Sequence, residues 1–172
     1  PLITAAWPEP KAQVDPHAKA ELEWLIGLVS AIRSARTEVN VSPAAKLTLL
    51  APAAEHLVQD RIRGQYESLR RLGRLEMVSA DRAPSHGNLV IVHEDTTYYL
   101  PLEGIIDIEA EKSRLSKGAE AAQKERDSLA QRLANPNFTD RAKPEAVEKA
   151  RADHEAKSAE AERLRAALER LG

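Results

Sequence analysis

Between Ile105 and Gly172, apolar residues recur at heptad spacing in two stretches separated by Asn135-Pro136-Asn137-Phe138. Ile108, Leu115, Ala122 and Leu129 mark the first stretch; Val147, His154, Ala161 and Leu168 mark the second. Folding the chain back at the break sets Ile108 opposite Leu168, Leu115 opposite Ala161, Ala122 opposite His154 and Leu129 opposite Val147. Every pair is then centred on residue 138, and Ile105 opposite Leu171 continues the same arrangement in a second row. Two limbs whose seams mirror about their own turn predict an antiparallel coiled-coil hairpin, closed on itself. Asn135-Pro136 ends the first limb, and Pro144 with Glu145 and Glu148 starts the second. The seam is thin, with many alanines and with Lys112, Arg126 and Lys157 on or beside it. Glu120–Lys124, Glu145–Lys149 and Asp153–Lys157 are expected as helical pairs, each worth ~0.2–0.5 kcal/mol. His154 reads as a half-buried seam residue.

Upstream the period changes. Residues 1–16 hold four of the ten prolines and read as an extended connector. A helix is expected over about His17–Val39, with Asp15 as N-cap and Pro16 in the first turn. Its main stripe is Leu22, Leu25, Ile26, Val29 and Ile32, and Trp24, Leu28, Ala31 and Ala35 form a second apolar face. A helix apolar on two sides calls for neighbours on both, as in a helical bundle. Arg33 and Arg36 prolong the main stripe, and two readings stand. They cover the last carbonyls or pair with Glu38, or they make phosphate contacts.

From 46 to 104 the pattern is that of a small α/β unit. Strands are expected at Lys46–Leu50, Arg74–Val78, Leu89–Val92 and Thr96–Leu100, the last two forming a hairpin about Glu94-Asp95. A helix over Ala53–Leu72 turns Leu57, Val58, Ile62, Leu69 and Leu72 inward and stops at Gly73. Arg63, Arg70 and Arg74, with Glu67 between them, share a face that reads as solvated, or as a minor RNA-facing patch. The whole predicts an α+β, mainly α chain: residues 1–45 the end of a helical domain, 46–104 a small α/β connector, 105–172 the hairpin.

Charge narrows the partners only weakly. The chain has 25 Lys+Arg against 27 Asp+Glu, and from Asp107 onward 14 of each. With 30% charged and 3% aromatic residues it reads as long solvated helices more than one large core. The absence of cysteine removes disulfides, thiolate metal sites and a cysteine nucleophile, and fits a reducing compartment. No apolar run reaches the ~20 residues of a membrane span, and no signal peptide is evident. The five histidines never fall at ligand spacing, and no glycine-rich phosphate loop, serine elbow or zinc motif occurs. No catalytic step or cofactor is assigned to these residues. The chain begins at Pro1 and its only methionine is Met77, so a piece of a longer protein is expected.

The turn Leu133-Ala134-Asn135-Pro136-Asn137-Phe138, followed by Ala142, Pro144, Val147 and Lys149, resembles the C-terminal coiled-coil hairpin of bacterial valyl-tRNA synthetases. Ile32-Arg33-Ser34-Ala35-Arg36-Thr37-Glu38-Val39-Asn40-Val41-Ser42-Pro43 resembles the last helix of the anticodon-binding domain in the same family. Trp7-Pro8 and Pro101-Leu102-Glu103-Gly104-Ile105-Ile106-Asp107 fall in the expected order. The resemblance implies a cytoplasmic class I aminoacyl-tRNA synthetase whose parent joins valine to tRNA with ATP and Mg, its catalytic and editing parts lying upstream. It implies an arm directed at the outer corner of tRNA, where the D and T loops meet. With its charges balanced, the arm must make RNA contacts through local clusters: Lys124, Arg126, Arg132, Arg141 and Lys143 toward the tip, and Arg33 and Arg36 on the upstream helix. Phe138 either seals the turn or offers a stacking face. The alternative from the residues alone is a protein-interaction or dimerisation module. A seam satisfied within the chain weighs against that and for a monomer, with association left open through the truncated helical face. A free-standing regulatory fragment is a third reading.

Overall fold

The computed structural model describes residues 13–172, so the proline-rich start with Trp7-Pro8 lies outside the described residues. Helix α1 (Pro16–Glu38) is capped by Asp15, whose carboxylate accepts from the His17 and Ala18 amides. Strand β1 (Leu47–Leu50), helices α2 (His56–Gly64) and α3 (Tyr66–Leu72), and strand β2 (Leu75–Ser79) follow. Then come β3 (Asn88–His93) and β4 (Thr96–Pro101), and α4 (Ile108–Leu133), the short α5 (Pro136–Thr139) and α6 (Pro144–Arg170). The four strands form one mixed sheet in the order β2-β1-β4-β3. β1 and β2 are parallel because α2 and α3 carry the chain across between them. β3 and β4 are an antiparallel hairpin turned at Glu94-Asp95, with Glu94 at a φ of 49°.

The expected helix over Ala53–Leu72 is two helices. Gln65, at φ −106° and ψ 15°, breaks the ladder between α2 and α3. Leu69 is fully buried, and Val58 and Ile62 pack against the core, but Leu57 is 62% exposed and Leu72 45%. The break turns the two halves differently, so one stripe drawn through both cannot stay inward. On β2, Leu75 is buried and Met77 is exposed, as an edge strand allows.

α1 lays one face against the sheet, burying Trp24, Leu25, Leu28, Val29, Ile32 and Ala35. This face lies between the two predicted stripes. Leu22 and Ile26 belong to the remaining edge and stay more than half exposed. His93 reaches from β3 across Gly27, where an added Cβ would stand 2.4 Å from the imidazole, and its Nε2 lies 3.1 Å from the Trp24 carbonyl oxygen.

α4 and α6 run antiparallel. The eight predicted seam residues are all buried or half-buried, with Leu115, Ala122, Val147 and Ala161 buried. The pairing differs. Gly118 faces Leu164, and Lys157 reaches Glu125 at 2.9 Å, so the limbs are centred on residue 141 and not on 138. Val147, in the first turns of α6, is buried. Ile105 precedes the Asp107 cap and is 41% exposed, and Leu171 packs into the main core instead of against it. The expected i,i+4 ion pairs do not form among the described residues. Charges pair at i,i+3 or across the limbs, as in Glu111–Arg114, Glu148–Arg151 and Lys157–Glu125.

One cluster of buried side chains takes in α1, the sheet and the root of the arm through Leu115, Ala167 and Leu171. Polar contacts reinforce that root. Arg170 pairs with the Glu38 carboxylate, and Arg114, itself held by Glu111, donates to the Glu38 carbonyl at 3.0 Å.

Candidate nucleic-acid interface

The cations singled out from the sequence fall toward the two ends of the arm: the end of α1 meets α4 at Arg114, and Arg132 lies about 27 Å farther along the helix at 1.5 Å per residue. At the tip, Asn135 turns the chain by accepting from the Asn137 amide, and α5 presents Phe138 half-buried. The Arg132 guanidinium lies over the Phe138 ring at 4.1 Å. The two residues are therefore one unit, a planar cation resting on an aromatic face. Arg141 and Lys143 are exposed in the crossing to α6 and form no ion pair among the described residues. Lys124 is exposed about two turns, some 12 Å, back along α4 from Arg132, whereas Arg126 is half-buried and spends its charge on Asp127 at 2.6 Å. Arg126 is thus the weakest of the tip candidates.

At the root, Arg33 and Arg36 separate. Arg36 is 5% exposed and donates to four carbonyls: Gly73 at 2.9 Å, Arg74 at 3.2 Å, Ser42 at 3.1 Å and Ala45 at 2.6 Å. Burial, and then the neighbouring Arg74, pull its pKa below the ordinary value. It joins α1 to the β1 entry and to the α3–β2 turn, so it is withdrawn from the residues that can meet a phosphate. Neither reading offered for it named these partners, which lie far along the chain or in the loop beyond the helix. Arg33 is exposed, donating through Nε to the Leu72 carbonyl at 2.9 Å, and its terminal nitrogens make no hydrogen bond among the described residues.

Arg33 also borders a cleft of about 550 Å³ between the end of α1 and the arm, shared with Arg114 and Arg163. On its other side it meets Lys46, Arg70, Arg71 and Arg74. The face expected to carry Arg63, Arg70 and Arg74 is split by the break at Gln65. Arg63 pairs with Asp60 on α2, while Arg70 and Arg74 join Arg33. Lys46, Arg71, Arg114 and Arg163 were missed, because only folding brings them to one side. Among the described residues no group of three or more His, Asp or Glu side chains is placed to hold a metal ion, and no helix is long and apolar enough to cross a membrane.

A family model described as the valyl tRNA synthetase tRNA binding arm matches residues 107–172. Over 172 residues, 100% of this chain, it is 54% identical to a valine–tRNA ligase of Sphingopyxis alaskensis, covering 18% of that protein. A valine–tRNA ligase of Rhizorhabdus wittichii is 49% identical over 99% of the chain, and one of Zymomonas mobilis 41% over 99%. In each of these two the match covers 19% of the relative. The chain spans about a fifth of the length of the curated relatives it matches. With its helical arm matched as a unit and its remaining elements matched in one continuous alignment, the chain belongs to the valyl-tRNA synthetase family.

Proposed function

We propose that this chain is the tRNA-binding portion of a valine–tRNA ligase, and that its arm steadies the outer corner of tRNA by backbone and shape contacts. The correspondence of residues 107–172 to the tRNA binding arm family carries the reading. Supporting it, the tip offers Arg132 stacked on Phe138 beside the exposed cations Arg141 and Lys143, with Lys124 below. An arm with 14 acidic and 14 basic residues from Asp107 onward suits an auxiliary contact better than a main binding surface. We take residues 1–45 as the end of the anticodon-binding helical domain, 46–104 as a connector and 105–172 as a coiled-coil arm. The exposed edge of α1 at Leu22 and Ile26 is consistent with a helix that has further helical neighbours. Joining valine to tRNA with ATP and Mg belongs, in this reading, to the whole ligase, and no residue of this chain is given a part in that chemistry.

The test is tRNA binding by the ligase with and without residues 105–172 across a salt series. Loss of the arm is expected to weaken binding about tenfold at low salt and to flatten its salt dependence, since each phosphate contact contributes a slope of ~0.7–0.9. Unchanged affinity at every salt concentration would sink the proposal.

A further inference from the structure

Arg33 from the last turns of α1, Lys46 at the entry to β1, and Arg70, Arg71 and Arg74 from the α3–β2 turn line one open groove of about 370 Å³. No carboxylate lines it. Arg70 pairs with Glu67 at 3.1 Å, while Arg33, Lys46, Arg71 and Arg74 form no ion pair among the described residues. The manner in which two of the arginines are held is informative. Arg33 donates to the Leu72 carbonyl, and Arg74 donates to the Pro43 carbonyl at 3.0 Å. A carbonyl orients a guanidinium without neutralising it, and each arginine keeps donors to spare. Beside them Arg36, bonded to the Arg74 and Ala45 carbonyls among others, is likewise held by carbonyls alone and adds a positive charge that forms no ion pair among the described residues. In a chain of net charge −2 this is a local segregation of charge, maintained against mutual repulsion.

We propose that this groove is a second RNA seat, binding the phosphate backbone at the root of the arm. It rests on the reading of the chain as a tRNA-binding portion, and adds a contact surface about one arm's length from the tip. Guanidinium forks suit phosphate oxygens, and no aromatic side chain lines the groove to stack a base. The contact therefore positions RNA without reading its sequence. Arg33 also borders the cleft lined by Glu38, Arg114 and Arg163, so the groove adjoins the foot of the arm.

The test combines Lys46→Gln with Arg71→Gln, two side chains that make no hydrogen bond among the described residues. A tRNA transcript is titrated against the full 172-residue chain from about 20 to 200 mM salt, beside an arm variant, Lys124→Gln with Lys143→Gln. The groove variant is expected to bind about tenfold more weakly at low salt, with the slope of log Kd on log salt reduced by about 1.5. Lys46→Arg with Arg71→Lys is expected to bind within about twofold of the unmodified chain, as a charge contact requires. If the groove variant binds like the unmodified chain at every salt while the arm variant weakens, the groove seat is overturned and the arm reading stands. If the unmodified chain binds no tRNA, both fall. Should the double variant melt early, Arg71→Gln alone decides, with an expected loss of about threefold and a slope change of about 0.7; no change overturns the seat.

Discussion

Arg36 holds three pieces of backbone together that would otherwise carry orphaned carbonyls: the loop after α1, the entry to β1 and the α3–β2 turn. Removing a buried charged donor leaves its acceptors desolvated and unpaired, at ~1–3 kcal/mol for such a group. Arg36→Ala is therefore expected to destabilise the fold by about 3 kcal/mol or more in urea unfolding, and Arg36→Lys to restore less than half, since one ammonium cannot span the four acceptors. Its role was invisible in the sequence, where Arg36 shows only a helical stripe position. Two of its partners, Gly73 and Arg74, come within reach only after the chain has crossed the sheet. Tyr98 gives a second residue-scale expectation. It is fully buried, and burial, offset in part by the nearby Thr96 hydroxyl, pushes its pKa from 10 up to about 12. Below pH 10 the phenol is protonated in both states and its contribution is fully present. Between pH 10 and 12 the unfolded chain releases the proton and the folded chain retains it, so stability falls as pH rises, by up to about 3 kcal/mol. Tyr98→Phe should flatten that part of a stability-against-pH curve; an unaltered slope would remove Tyr98 as its cause.

At the scale of elements, strands and helices were legible because their periods are local. The four strands, α1 and the second limb fall within a residue or two of expectation, whereas the first limb begins only at Ile108, after the Asp107 cap. What was not legible were relations between elements. Heptad positions identify a seam, but in an alanine-rich seam several registers bury similar area, and the contacts of Gly118 with Leu164 and of Lys157 with Glu125 centre this one on residue 141. Gly27 shows the same limit. In the sequence it belongs to neither apolar face of the helix; in the fold it is the gap through which His93 reaches the Trp24 carbonyl. Gly27→Ala improves helix propensity by about 1 kcal/mol but drives a methyl into the imidazole. The net expectation is a loss of about 1–2 kcal/mol, and His93→Ala in the same background should relieve the clash. A more stable Gly27→Ala chain in thermal unfolding would contradict this packing.

For the molecule as a whole, the single core means that α1, the sheet and the arm's root share buried neighbours, so they are expected to unfold together. The exposed edge of α1 is the part that packing leaves unaccounted for. Leu22 at 53% and Ile26 at 63% exposure should let the isolated chain self-associate at high concentration, and Leu22→Glu with Ile26→Glu should return it to monomer in sedimentation without lowering its melting temperature. The candidate interface was half legible at this scale. Arm-tip cations lie close to a recognisable turn, whereas the root groove gathers Arg33, Lys46 and the α3–β2 arginines from segments the sequence keeps apart.

The Glu38 junction has a mechanical consequence. Arg170 and Arg114 bolt the foot of the arm to the end of α1, and α4 runs on as a lever about 30 Å long from Arg114 to its end. A tilt of 10° at the foot would carry Phe138 through about 5 Å. Two ion-paired arginines at the pivot thus set how sharply the far end is aimed.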